Sequence, residues 1–232
     1  MLCSFLWQRV RCLVVLFAAA FYSGHAIGQP PTRCAPLSTT PVNDANATLV
    51  SATASETQIW KTITVGGSKG VNAVRVAMET APCGIAIGDD ADEILGRPAF
   101  PFIKTPVELD LVVLSVRELG FGDLASIHDI YARAVSLGFE LCPAEVGPLL
   151  RLNYLDQPLS EFLHIAMKPV AKYNGELIDF TIGNGGNGLL LLGGDARPDM
   201  TAPGSVRFVF VRPRPDTIVS ASHENNGELA KR

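Results

Sequence analysis

Apolar positions recur along this chain with two different periods, and the switches between them mark out its elements. Ile59–Val65 (IWKTITV) is rich in β-branched residues and stops at Gly66-Gly67, which predicts a strand. Val107–Val116 (VELDLVVLSV) runs almost unbroken in Val and Leu past Glu108 and Asp110, the pattern of a central strand covered on both faces. Helical spacing appears between these two. Val71, Val74 and Met78 share a face of a helix expected over Lys69–Thr80, with Ser68 as its cap and Pro82 and Gly84 beyond its end. A short helix from Asp90, with Ile94 and Leu95 apolar, is stopped by Gly96 and Pro98. The clearest helix runs from Ser126 through Leu137, where Ile127, Ile130, Tyr131, Ala134 and Leu137 form one buried stripe. Ser126 with Asp129 resembles a capping box, and Gly138 is placed to end the helix in a left-handed turn.

Period two returns in the last third. Phe162–Met167, Glu176–Ile182, Gly188–Leu192 and Ser205–Arg212 read as strands separated by turn formers, among them Asn174-Gly175, the strongest short hairpin signal available. Four strands in a row predict an antiparallel meander. The expected fold is therefore α+β, two or three helices packed on a mainly antiparallel sheet with a C-terminal β-meander.

The ends of the chain lack this patterning. Arg9 and Arg11 precede the ten-residue apolar run Leu13–Tyr22, and small residues follow at Gly24, Ala26 and Gly28, which predicts a secretory signal over residues 1–28 cleaved after Ala26 or Gly28. Ten residues fall short of the roughly twenty that a spanning helix needs, so no stable membrane span is expected after cleavage. An uncleaved signal anchor is the alternative. Residues 29–57, rich in Pro, Ser, Thr, Ala and Asn, read as a flexible tether, and residues 213–232 as a disordered tail. The folded unit expected between them is a single domain over residues 58–212. The protein is expected to be exported to the periplasm or the medium.

Charge narrows the partners. The net charge of −4 becomes −6 once Arg9 and Arg11 are removed with the leader. Such a chain lacks the basic stripe that nucleic acid requires, so nucleic acid is not expected as a partner. Of five cysteines, Cys34, Cys83 and Cys142 lie beyond the leader, an odd number without metal-ligand spacing, so no metal site or other cofactor is expected. Cys83 and Cys142 are read either as a disulfide or as two small buried hydrophobes. The acids Asp89, Asp90, Asp92 and Glu93 do not follow a calcium-loop spacing and suit a first helical turn. The glycine-rich run Gly183–Gly188 (GNGGNG) enters a strand rather than a helix, which makes it a hairpin turn and not a phosphate cradle. His128 falls off the apolar stripe of its helix and reads as a solvated residue. His164 reads as a satisfied or half-exposed strand histidine.

Chemistry concentrates in Phe139–Pro158 (FELCPAEVGPLLRLNYLDQP), where carboxylates, Arg151 and Tyr154 are set among apolar residues and three prolines. Glu145 beside Arg151 suits acid–base hydrolysis, because a desolvated carboxyl holds its proton at neutral pH; equally, the two suit a buried ion pair that fixes the segment against the sheet. Tyr154, Asp156 and Gln157 are the candidate binding residues of the same stretch.

From Trp60 to Arg212 the succession SVRELGF, DIYARA, LGFELCPAEVGPLLRLNYLDQP, EFLHIAM and RFVFVR resembles an uncharacterised bacterial family, with LCPAEVGP its specific part. That resemblance implies no activity and assigns no catalytic residue. Two functions follow from the residues. One is a small exported binding module that presents Pro143–Gln157 to a protein or an envelope polymer. The other is a hydrolase of an envelope or extracellular polymer with Glu145 as acid or base.

Overall fold

The structure is a computed structural model that describes residues 53–186 and 188–214. The leader, nearly all of the tether and the tail beyond residue 214 lie outside the described residues.

A mixed sheet forms the centre. β1 (Lys61–Val65) pairs antiparallel with β3 (Val107–Ser115), and β3 pairs antiparallel with β10 (Arg207–Arg212). Next to β10, and parallel to it, lies β5 (Phe162–Ile165). The sheet continues through β7 (Leu177–Asn184) and β8 (Leu189–Asp195), both antiparallel to their predecessors, and ends at β2 (Ile85–Ile87), parallel to β8. The two-residue β6 (Val170–Ala171) adds to β7 through the Asn174-Gly175 turn, where Gly175 takes φ 91°. A separate two-stranded ribbon joins β4 (Leu124–Ser126) to β9 (Thr201–Pro203).

The α+β class holds, while the meander is corrected. β5, β7 and β8 are successive antiparallel neighbours, but β10 leaves that sequence and inserts between β3 and β5. Its own residues explain the placement. Phe208 and Phe210 are buried on one face of the sheet and Val209 and Val211 on the other, so β10 is satisfied only as a central strand. β2 was not expected at all, since three residues between Gly84 and Gly88 carry too little pattern.

Among the described residues four helices, rather than the two or three expected, cover the two faces. α1 (Val71–Glu79), α2 (Asp89–Leu95) and α4 (Val146–Asn153) bury Val74 and Met78, Ile94 and Leu95, and Val146 and Leu150 against one face, with Phe180, Ile182 and Leu191. α3 (Ile127–Ser136) buries Ile127, Ile130 and Ala134 against the other, with Val112, Leu114, Phe208 and Phe210. The α3 cap is as expected: Ser126 Oγ accepts from Asp129 N at 3.1 Å, and Gly138 lies at φ 90°. α1 departs from expectation at its start. Gly70, at φ 94°, is the residue before the first turn, and Ser68 Oγ only accepts from Gly70 N at 3.3 Å.

Phe139–Asn153 is the segment most changed by the fold. Glu140 pairs with Val211 and Cys142 with Met167, so the chain lies along the sheet before turning into α4. Pro148 occupies the first turn of that helix, where its missing N–H removes no intrahelical bond. Both ends of the body extend past the expected boundaries at 58 and 212. Ala54 is buried and its N–H donates to Leu137 O at 2.9 Å, while Arg214 pairs with Asp110 at 2.8 Å. Among the described residues no helix is long and apolar enough to cross a membrane.

Candidate functional site

The expected centre is core rather than surface. Of Pro143–Gln157 only Asn153 and Asp156 are exposed, and Glu145, Arg151 and Gln157 are each 0% exposed. Tyr154 is buried too. The surface that was to meet a partner is therefore not presented. Nor do Glu145 and Arg151 form an ion pair. Glu145 Oε2 accepts from Ile103 N at 3.0 Å, and its Oε1 is buried without a partner.

Arg151 turns instead toward the loop and hairpin beyond α4. Its Nη1 donates to Gln157 Oε1 and, at 3.2 Å, to Gly183 O, and its Nη2 donates to Tyr154 O. Gln157 Nε2 passes the network on to Glu161 O at 3.2 Å and Ile182 O at 3.3 Å. Asn184 Nδ2 closes it by donating to Gln157 O at 2.8 Å. A guanidinium thus clamps the 154–161 loop to β7 through neutral acceptors. Burial without a bonded carboxylate pushes Arg151 down to about 10, partly offset by Tyr154 and Glu161 nearby. Tyr154 stacks edge-on to Trp60 with ring centroids 5.1 Å apart. Burial, then the Glu161 carboxylate beside it, push its phenol upward. Glu161 itself pairs with Arg207 at 2.8 Å. Arg151, Tyr154 and Gln157 are brought together as structure, while Glu145 and Asp156 stand apart from them.

The two cysteines also part. Cys83 is disulfide-bonded and Cys142 is a buried free thiol, so the Cys83–Cys142 pairing is not made. Two acids of α2 are taken up in ion pairs: Asp92 with Arg75 at 2.6 Å and Asp90 with Lys172 at 2.7 Å.

On the opposite face of the sheet a different group of residues converges. α3 forms one wall of a cleft of about 480 Å³ with His128, Tyr131 and Val135, and Pro169, Ala196 and Pro198 form the other. This volume lies in the range of small-ligand sites, roughly 300–1,000 Å³. The facing loop is tied to the start of α3, since Ile127 N donates to Met200 O at 2.8 Å and His128 N to Pro198 O at 3.1 Å. The cleft is thus preformed. His128 is exposed, in keeping with its place off the apolar stripe.

Polar groups lie on the same face of the sheet. Strand alternation in β7 sends Ile178, Phe180 and Ile182 into the core on the α4 side, which leaves Asp179 and Thr181 on the α3 side. Thr181 Oγ1 lies 3.1 Å from His164 Nδ1, and the His164 ring is 5.3 Å from that of Phe208. Phe208 in turn meets Tyr131 edge-on at 6.1 Å. Burial pulls His164 below its ordinary value, so its ring is held neutral.

Asp179 is 1% exposed, and its Oδ1 has no hydrogen-bond partner. Opposite it stands Gly194, where an added Cβ would lie 2.7 Å from Oδ1, so only glycine leaves room for the carboxyl. Burial, with the Asp195 charge adding to it, pushes Asp179 up to about 8. The Tyr131 hydroxyl is buried as well, and its hydrogen bond to the Met167 backbone works against the rise of its phenol. Burial and then the Asp179 charge push that phenol upward.

Sequence reading missed Asp179 because LIDFTIGN alternates as a half-exposed strand does, and a polar residue on its second face looks solvated. Tyr131 was placed correctly on the apolar stripe, but its place in the wall of a cleft has no sequence signal. No protein-family model, no curated protein and no solved structure matches this chain.

Proposed function

We propose that the protein is an exported binding module that takes a small, largely apolar molecule into the cleft between α3 and the 196–200 loop. The observation that carries this reading is the cleft itself, about 480 Å³ and walled mainly by apolar side chains, with Tyr131 in one wall. Apolar walls with one or two convergent polar groups are what small-ligand sites present, the walls supplying affinity and the polar groups orientation. Hydrolysis through Glu145 draws no support from its position, because that carboxylate is sealed in the core against Ile103 N.

Ligand-observed NMR with a panel of small apolar compounds tests the reading. Ala132, exposed at the rim of the cleft, offers a blocking position away from the core. Saturable binding that Ala132→Trp abolishes, with an unchanged melting midpoint, is the expected result. Binding that survives the blocking substitution, or no binding by the unblocked protein, would sink it.

A further inference from the structure

We infer that Cys34 forms a disulfide with Cys83, and that this bond straps the N-terminal segment of the chain to the body beside α1. The inference goes beyond the cleft and takes from the binding reading only its export, which brings the chain to an oxidising compartment.

The cysteines leave few pairings. Cys83 is disulfide-bonded, and Cys142, 3% exposed, is a free thiol whose Sγ donates to Val209 O at 3.4 Å. Of the other three, Cys3 and Cys12 precede the cleavage points at Ala26 and Gly28, so Cys34 is the partner that a mature chain retains. Position agrees with count. Cys83 lies in the turn between α1 and β2, half-buried between the exposed Pro82 and Gly84, where a second segment reaches its sulfur without opening the core. Cys142, paired with Met167 along the sheet, is closed to such an approach. Chain length allows the contact. Cys34 and Thr53, the first described residue, are nineteen positions apart, roughly 60 Å of extended chain against a body about 40 Å across.

The bond closes a ring from residue 34 to residue 83 that encloses β1 and α1. Among the described residues β1 is an edge strand paired only with β3, and α1 starts at Gly70 without a side-chain cap. Elements held this way open at low cost, and a cross-link over a long loop removes entropy from their open states. Cys83 packs on the face of the sheet that α1 covers, so the anchor lies across the sheet from the cleft beside α3.

Formation requires an oxidant, an organic disulfide of the compartment that receives the chain. The Cys34 and Cys83 S–H bonds break and one S–S bond forms between them. The two electrons and two protons released reduce the organic disulfide to two thiols.

Peptide mapping of the full-length chain decides the pairing. The reduced protein is oxidised with glutathione disulfide, remaining thiols are blocked with iodoacetamide in denaturant, and trypsin digestion follows without reduction. The expected product joins peptide 34–61 to peptide 76–104 and falls apart on reduction, while peptide 134–151, which holds Cys142, carries no cross-link. Cys83 found alkylated, or joined to Cys3, Cys12, Cys142 or a second chain, overturns the pairing. Thermal melts test the strap. Oxidised Cys34→Ser is expected to melt several degrees below the oxidised wild type, and dithiothreitol should bring the wild type to the variant's midpoint without moving the variant. Equal midpoints after oxidation overturn the strap. Because the oxidation is carried out on purified protein, these outcomes are independent of export. A chain that forms the bond in this way but is recovered reduced from cells overturns the export reading and leaves the pairing standing.

Discussion

At Asp179 desolvation meets no opposing charge, and the consequence is a pH dependence of stability with a definite sign. Its carboxyl rises from an ordinary 3.8 to about 8, so between these values the folded chain holds a proton that the unfolded chain has lost. Stability from this group is therefore complete below about 4 and falls away as pH rises to about 8. Asp110 has the opposite sign: Arg214 and Thr62 bond its carboxylate and hold it at about 2, so its contribution is lost only in strong acid. His164, pulled down by burial, also favours the folded state at higher pH. Comparing the wild type with Asp179→Asn isolates the one group. In urea titrations the variant should lose the decline between pH 5 and pH 8 and be the more stable protein at pH 9. A decline of equal size in both proteins would assign it elsewhere. Arg151 supplies a second prediction at this scale. Arg151→Met leaves Gly183 O, Tyr154 O and Gln157 Oε1 without their donor, and should cost about 3–5 kcal/mol in urea unfolding. A loss below about 1 kcal/mol would mean that the clamp is dispensable. Cys142 gives a third. Burial pushes its thiol upward, so iodoacetamide should spare it in the native protein and label it after denaturation, as peptide mass spectrometry reads directly.

Among the elements, α3 and α4 show when a pattern can be read and when it cannot. α3 has a clean apolar stripe, a serine cap that bonds Asp129 N, and a glycine in the left-handed region just past its end. All three signals agree, and the element was legible to within a residue. α4 contains Gly147 and Pro148 in its first turn, and both residues read as breakers along a chain. Tertiary packing reverses their meaning. Gly147 lets the helix lie directly on Phe180 of β7: an added Cβ would sit 2.6 Å from the ring, too close to fit without a shift. Gly147→Ala should therefore destabilise the protein by about 1–3 kcal/mol, although alanine is the better helix former. Thermal melts of the two proteins check this, and a higher midpoint for the variant would show that α4 is free to move off the sheet.

Over the whole molecule, the sheet depends on pairing between distant segments. β10 reaches its central place only after the chain has passed through β9, which is bound to β4 on the α3 side. The hairpin and the central β3 were legible, because turn residues and unbroken apolar runs are local. Strand order was not, since several orders satisfy the same alternation. Export belongs to this scale as well. Under the proposed export the mature chain begins at Ile27 or Gln29, as cleavage after Ala26 or Gly28 requires, and intact-mass measurement of the protein recovered outside the cytoplasm reads the cut. A full-length chain retained in the membrane fraction would make the leader an anchor.

By itself the sequence determined the class of fold, a central strand covered on both faces, the α3 helix with its caps, and an acidic, histidine-poor composition. These are matters of composition and of periods within about a dozen residues. Only the tertiary structure decided that Glu145 and Arg151 are kept apart in the core, that Cys83 and Cys142 do not pair, and that the Asp179 charge acts on Tyr131. Each of these depends on which distant groups share a low-dielectric interior, and hence on which charges go without a partner. Asp179 is separated from Tyr131 by nearly fifty positions along the chain. What brings them together is α3 packing on Phe208 and Phe210 of β10, on the face of the sheet that Asp179 also takes, a packing choice that neither segment encodes alone.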